Sequence, residues 1–273
     1  MPPSTSDMEV TLDLAEQALD DGDAAQALAL CEQVLAHDAN NVDACYLSAE
    51  CVRDLGALDE AEERYRRVVR AEPEHAAGWC GLAGALFDQL KFEESRNAVA
   101  RAIRADSLLP ENYHWRGLLR ERRGDQHGAV RDFHRAHLLD PEAFPRAVTL
   151  DDATVEAVVD EAITTLHPSV QAYLTEVAIV LEEVPDEEVC RSFDPPMPPA
   201  EILGFFSGSS LAERSSGQAW SSLPPTIVLF RRNLERVANN REHMIEELRV
   251  TVFHEIGHFL GLDEDELEDR GLD

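Results

Sequence analysis

Two histidines, His254 and His258, stand four residues apart near the end of the sequence, with Glu255 directly after the first. Residues four apart lie one above the other on a helix, so both imidazoles can point at one place in space. That arrangement suits a divalent metal, and the H-E-x-x-H spacing is the one used by zinc hydrolases. Zinc that performs chemistry takes three protein ligands and leaves a position for water. Glu255 has the right type and place for a general base, because a carboxylate beside the metal can accept a proton from the attacking water without being a ligand. Gly261 can adopt the left-handed backbone that ends a helix, and a turn there would carry Glu264 back toward the histidines as third ligand. Asp263 and Asp265 flank Glu264. Spacing favours Glu264, and a turn of slightly different shape would deliver a neighbour instead.

The flanks place this helix inside the protein. Val250, Val252, Phe253, Ile256, Phe259 and Leu260 leave little of it polar, and histidines and a glutamate on a buried helix need partners, which a zinc ion supplies. The spacing also matches the metzincin pattern, with glutamate where that pattern ends in histidine. Hydrolysis of a peptide bond further calls for a donor to the developing oxyanion. Arg214, Arg231 and Arg232 are the nearest cationic candidates in sequence.

The elements that hold this helix begin after Pro141 and Pro145. Thr149 or Asp151 can cap a helix with the apolar stripe Val155, Val158, Val159, Ala162 and Leu166. Val177–Leu181, Leu203–Gly208 and Thr226–Phe230 read as short strands. The proline run from 194 to 199 and the serine-rich stretch from 209 to 223 read as loops. Asn233 or Asn240 can cap helical segments, and Glu242 to Leu260 then forms the long helix that carries the histidines. Helices, three strands and a final helix make a small α+β domain, its sheet covering one side of the histidine helix.

The first half repeats itself every 34 residues. Gly22, Gly56, Leu90 and Gly124 share one column, Ala27, Ala61, Ser95 and Ala129 a second, and Cys31, Tyr65, Val99 and Phe133 a third. A period of paired helices at this length resembles the tetratricopeptide repeat (TPR). Four such units form an α-solenoid whose concave face binds a protein or peptide partner. Tyr46, Glu50, Arg53, Phe87, His114, Glu121 and Arg122 are the candidates to line it. His127, His134 and His137 lack a carboxylate or fourth ligand at matching spacing and are not read as a second metal site.

A formal charge of −30 points away from nucleic acid and anionic membranes, which attract basic surfaces. The five cysteines form no C-x-x-C pair, and their odd number suits reduced thiols. Residues 1–7 have neither a basic region nor an apolar core and are not expected to act as a signal peptide, and no apolar run approaches the roughly 20 residues of a membrane span. A cytoplasmic location is expected.

Gly204-Phe205-Phe206-Ser207-Gly208, Ile227-Val228-Leu229-Phe230-Arg231-Arg232, and the stretch from His254 through Leu267 to Gly271-Leu272 together resemble the minimal zincin-like metallopeptidases. The resemblance implies a zinc peptidase fold with His254, His258 and an acid at position 264 as ligands and Glu255 as base. The expected organisation is a TPR array over 8–143, a linker over 144–150, and a zincin-like domain over 151–273. The expected function is a zinc metallopeptidase with a partner-recruiting array. The other reading is a protein-interaction scaffold carrying a structural zinc or an inactive peptidase-like domain, and an intact Glu255 favours the first.

Overall fold

The computed structural model describes residues 5–216 and 224–268, and the chain divides into two compact units, Met1–Phe144 and Pro145–Asp273. In the first, the described residues form α1 (Thr5–Asp20), α2 (Ala24–Leu35), α3 (Val42–Asp54), α4 (Leu58–Ala71), α5 (Ala76–Asp88), α6 (Phe92–Ala105), α7 (Pro110–Glu121) and α8 (Gln126–Leu139). Each odd-numbered helix packs on the next, and each pair on the following pair. Close packing needs small residues at the crossings. Ala27, Ala61, Ser95 and Ala129 are each 0% exposed, and Ser95 donates its hydroxyl to the Ala83 carbonyl at 2.7 Å, so the one polar group in this column is satisfied. Where Tyr65 fills the larger slot, Gly81 makes room, since a methyl there would run into the ring.

Several residues expected on the concave face are committed elsewhere. Phe87 is 2% exposed and Glu121 6%. Phe87 packs against Phe92 and Trp115, because an aromatic at a repeat junction buries more area against the next helix than in a groove. The Arg122 guanidinium lies 4.2 Å over the Phe92 ring. Tyr46 is half-buried beside Tyr65 and His75, and Glu50 accepts the Tyr65 hydroxyl at 2.6 Å.

The second unit follows as α9 (Asp152–Thr165), α10 (Pro168–Leu174), β1 (Ala178–Glu182), α11 (Glu187–Ser192), β2 (Gly204–Ser207), α12 (Leu211–Ser216), β3 (Thr226–Phe230), α13 (Arg231–Val237), α14 (Arg241–Leu260) and α15 (Glu264–Glu268). The sheet order is β1-β3-β2. β1 runs parallel to β3, with Ile179 opposite Ile227, and β2 runs antiparallel to β3, with Phe206 opposite Ile227. Met244, Leu248, Val252, Ile256 and Phe259 form one apolar stripe of α14, packed with Val155, Val158 and Ala162 of α9 and with Ile227 and Leu229 of β3.

Three sequence expectations change here. Asp151 accepts the Thr154 amide at 2.8 Å and caps α9, and Asn240 caps α14, whereas Asn233 lies inside α13, buried, donating to the Pro199 and Ile202 carbonyls. Part of the segment expected as a linker packs in the second unit, while Phe144 belongs to the first. Leu150 is 4% exposed in its core with Val148 packed beside it, and Val148 donates its amide to Glu235. The stretch from 209 contains α12, where Glu213 accepts from the Ser210 amide at 2.9 Å and offsets the helix-breaking effect of the serines. Residues 217–223 of that expected loop, and Gly271-Leu272, lie outside the described residues. All five cysteines are free and buried. No helix of the described residues is long and apolar enough to cross a membrane.

The repeat turns carry one local conflict. Gly22, Gly56 and Gly124 have φ of 80°, 77° and 74°, and Leu90 takes the same left-handed conformation at 62°. A Cβ there costs about 1–2 kcal/mol, partly offset by the greater freedom glycine has when unfolded. Replacing Leu90 by glycine should stabilise the full chain by about 0.5–1 kcal/mol, read by denaturant melts, while Gly56→Leu should destabilise it. A Leu90→Gly protein no more stable than the parent would remove strain from this account.

Candidate metal centre

α14 has two working faces. One is the apolar stripe that packs on α9 and the sheet. The other carries Glu247, Val250, His254 and His258 at helical spacing and faces a cleft of about 1200 Å³, whose opposite walls come from residues 192–198 and from β2. The His254 and His258 rings meet edge to face with centroids 4.7 Å apart, and their Nε2 atoms stand 3.0 Å from each other. His258 Nδ1 lies 3.2 Å from the Leu262 carbonyl oxygen. With its hydrogen on Nδ1, that ring keeps the Nε2 lone pair directed at its neighbour.

Glu264 completes the group. Its carboxylate oxygens lie 3.6 Å from His254 Nε2 and 3.4 Å from His258 Nε2, and one donor atom from each of the three residues falls within 4.8 Å of the others. Two imidazole nitrogens and a carboxylate crowded this way are lone pairs aimed at one another, and a cation among them turns that repulsion into attraction. The donor set, two nitrogens and one oxygen, fits zinc. Among the described residues no other group of three or more histidine, cysteine or acidic side chains has this arrangement.

The path that brings Glu264 back is local and well determined. Gly261, at φ 100° and ψ 22°, caps α14 in the left-handed conformation, and the Leu262 amide bonds to the Gly257 carbonyl at 3.0 Å, closing a Schellman turn. Asp263 then accepts the Glu266 amide at 2.9 Å while Glu266 accepts the Asp263 amide at 3.3 Å. This reciprocal capping box starts α15. It occupies Asp263, which the spacing had left open as a ligand, and leaves Glu264 at the first position of α15, next to the histidines. Leu267, 0% exposed, plugs onto Gly257, where a methyl group would collide with it. The capping box was visible in the sequence as D-x-x-E within an acidic run. The Leu267 anchor had no local signal.

Glu255 points to the other flank, against β2. It is 5% exposed, and the strand comes so close that a Cβ on Gly204 would sit 2.8 Å from Glu255 Oε1 and 2.7 Å from Thr251 Cγ2. Burial, followed by the charge of Glu264, pushes the Glu255 carboxyl up to about 8, with a hydrogen bond from the Phe206 backbone acting the other way. A cation held by the histidines opposes the first two effects and favours the carboxylate.

The arginines expected to serve an oxyanion do not reach this cleft. Arg214 pairs with Glu176 at 3.0 Å, Arg231 with Asp152 and the Leu150 carbonyl, and Arg232 with Glu183 at 2.7 Å and Glu235 at 2.8 Å. In so acidic a unit each of the three finds carboxylates nearer than the histidines of α14. Polar backbone groups of β2, the strand at the sheet edge beside the cleft, are present instead.

Residues 174–272 match the Zincin-like metallopeptidase family, and residues 18–79 and 54–110 match two tetratricopeptide repeat families. No curated protein matches the chain. Among solved structures it is similar to a thermophilic TPR protein in Thermus thermophilus, at 22% identity over 62% of this chain and 90% of that one, with a TM-score of 0.47. It is also similar to MamA from Desulfovibrio magneticus, at 14% identity over 62% and 89% with a TM-score of 0.42. A third similar structure is the Sgt2 TPR domain from Aspergillus fumigatus, at 17% identity over 55% and 91% with a TM-score of 0.39. The chain joins a tetratricopeptide repeat region, matched over residues 18–110, to a domain of the Zincin-like metallopeptidase family, matched over residues 174–272.

Proposed function

We propose that the chain is a zinc-dependent peptidase in which His254, His258 and Glu264 hold the metal, Glu255 is the general base, and the repeat array recruits a protein substrate or partner. The observation that carries this reading is the convergence of the three donor groups beside one buried carboxylate on the floor of an open cleft. A zinc ion in that place supplies Lewis acidity to a carbonyl and to a water. Glu255 takes the proton of the attacking water and hands it to the leaving amine. Burial against β2 fixes its rotamer, and the Phe206 backbone holds one of its oxygens. β2 is four residues of edge strand alongside the cleft, and an extended peptide can pair with such an edge while its side chains alternate between the cleft and solvent.

This reading separates three substitutions. Glu255→Gln should bind zinc like the wild type and lose hydrolysis of an unstructured protein by at least about a hundredfold, the lower range for removing a general base. Glu264→Ala should lose zinc affinity as well as activity. Zinc content by mass spectrometry of the native protein, with cleavage followed on gels, distinguishes these outcomes. If the wild type binds zinc without cleaving and Glu255→Gln behaves identically, the scaffold reading replaces this one.

Leu267→Ala tests the anchor without touching a donor atom. Releasing α15 should weaken zinc binding by about ten- to a hundredfold, as for other groups that orient a metal ligand, measured by competition with a chromophoric chelator. Unchanged affinity would mean that Glu264 does not depend on α15 for its position.

A further inference from the structure

The cleft has a chemical bias that the donor group does not require. Among the described residues that line it, seven are acidic and none is lysine or arginine. Most of these acids are occupied. Glu213 caps α12 through Ser210, Glu247 bonds to His243 at 2.9 Å, Asp263 caps α15, and Glu255 and Glu264 belong to the centre itself. Asp194 and Glu201 remain, and neither has a side-chain hydrogen bond or ion pair among the described residues. Partial desolvation of the otherwise exposed Glu201 carboxyl pushes its pKa up. An arrangement that leaves carboxylates uncompensated in the mouth of a binding cleft stabilises an incoming cation more than a neutral group.

Shape and surface point to the same ligand. Asp194 directly follows Phe193, and Glu201 lies four residues before Phe205 of β2; the two rings are tilted against each other with centroids 6.0 Å apart, and both are only half-buried. A side chain with an apolar stem and a cationic head can lay its stem on those rings while its charge reaches the carboxylates. Aromatic faces attract a guanidinium or ammonium group directly.

We propose that the cleft selects an extended peptide bearing an arginine or lysine, whose head is received by Asp194 and Glu201 and whose stem lies on Phe193 and Phe205. Asp194 and Glu201 are then specificity-determining residues. This inference rests on the peptidase reading for the identity of the cleft as a peptide site. It does not rest on turnover.

The test uses the full-length zinc-loaded chain and two fluorescent peptides identical except for one arginine replaced by citrulline, which keeps the shape and removes the charge. Binding is measured by anisotropy on Glu255→Gln, so that cleavage does not interfere, and cleavage of the same pair is measured on the wild type. The arginine peptide should bind about tenfold tighter at low ionic strength, with the advantage shrinking as salt is added. Adding Asp194→Asn and Glu201→Gln should bring the two peptides to similar affinity while leaving the citrulline peptide unchanged. Equal binding of the pair, no binding of either, or a preference that survives the double substitution overturns the proposal. A preference in binding with no cleavage by the wild type upholds the selectivity and removes the peptidase reading. Cleavage of both peptides at equal efficiency does the reverse.

Discussion

How closely other segments approach α14 governs everything at the candidate centre, and two glycines set that distance. Gly204 lets β2 lie directly against the helix, where a single methyl group would stand 2.7 Å from Thr251 and 2.8 Å from Glu255. Gly257, on the helix itself, receives the Leu267 side chain and so lets α15 fold back beside the last turn. Protein interiors are packed too densely for such contacts to give way without displacing something. Moving β2 outward would expose Glu255 to water, and moving α15 outward would carry Glu264 away from the histidines. The proposed base and the proposed third ligand are thus positioned by two independent close contacts on one helix.

That packing also sets the electrostatics. A carboxylate held at 5% exposure without a cation nearby favours its protonated form, so burial first and the charge of Glu264 second push the Glu255 carboxyl up. Arg214, Arg231 and Arg232 do nothing to oppose it, because each pairs with a carboxylate elsewhere. A cation at the meeting point of the two imidazoles and the exposed Glu264 carboxylate, beside buried Glu255, would balance these charges. The negative surplus extends beyond that point to Asp194 and Glu201, which have no partner among the described residues.

The repeat unit uses the same physical device for a different purpose. Fully buried small residues at Ala27, Ala61, Ser95 and Ala129 let helices cross closely, and the aromatics take up the remaining volume. Packing takes priority over display: Phe87 and Glu121 sit in register for the concave face yet are buried. At Leu90 the turn keeps the left-handed backbone of its glycine counterparts, because the helices on both sides fix the path and the local residue has to follow it.

Much of the architecture was legible before folding was considered. The 34-residue period, the H-E-x-x-H spacing, the three strands and the cap candidates, Thr149 or Asp151 and Asn233 or Asn240, are local patterns, and local patterns depend on backbone geometry that each short segment carries with it. The D-x-x-E box at Asp263 was equally local, and only the surrounding acidic residues hid it. Tertiary structure alone decided that Glu264 rather than a neighbour meets the histidines, since this depends on Leu267 burying itself against Gly257. It alone tied Arg214, Arg231 and Arg232 to distant acids, and it alone drew Val148 and Leu150 into the second core. In each case the partner is remote in sequence or its burial depends on a surface assembled from several elements, and no periodicity in a chain records which surfaces will meet.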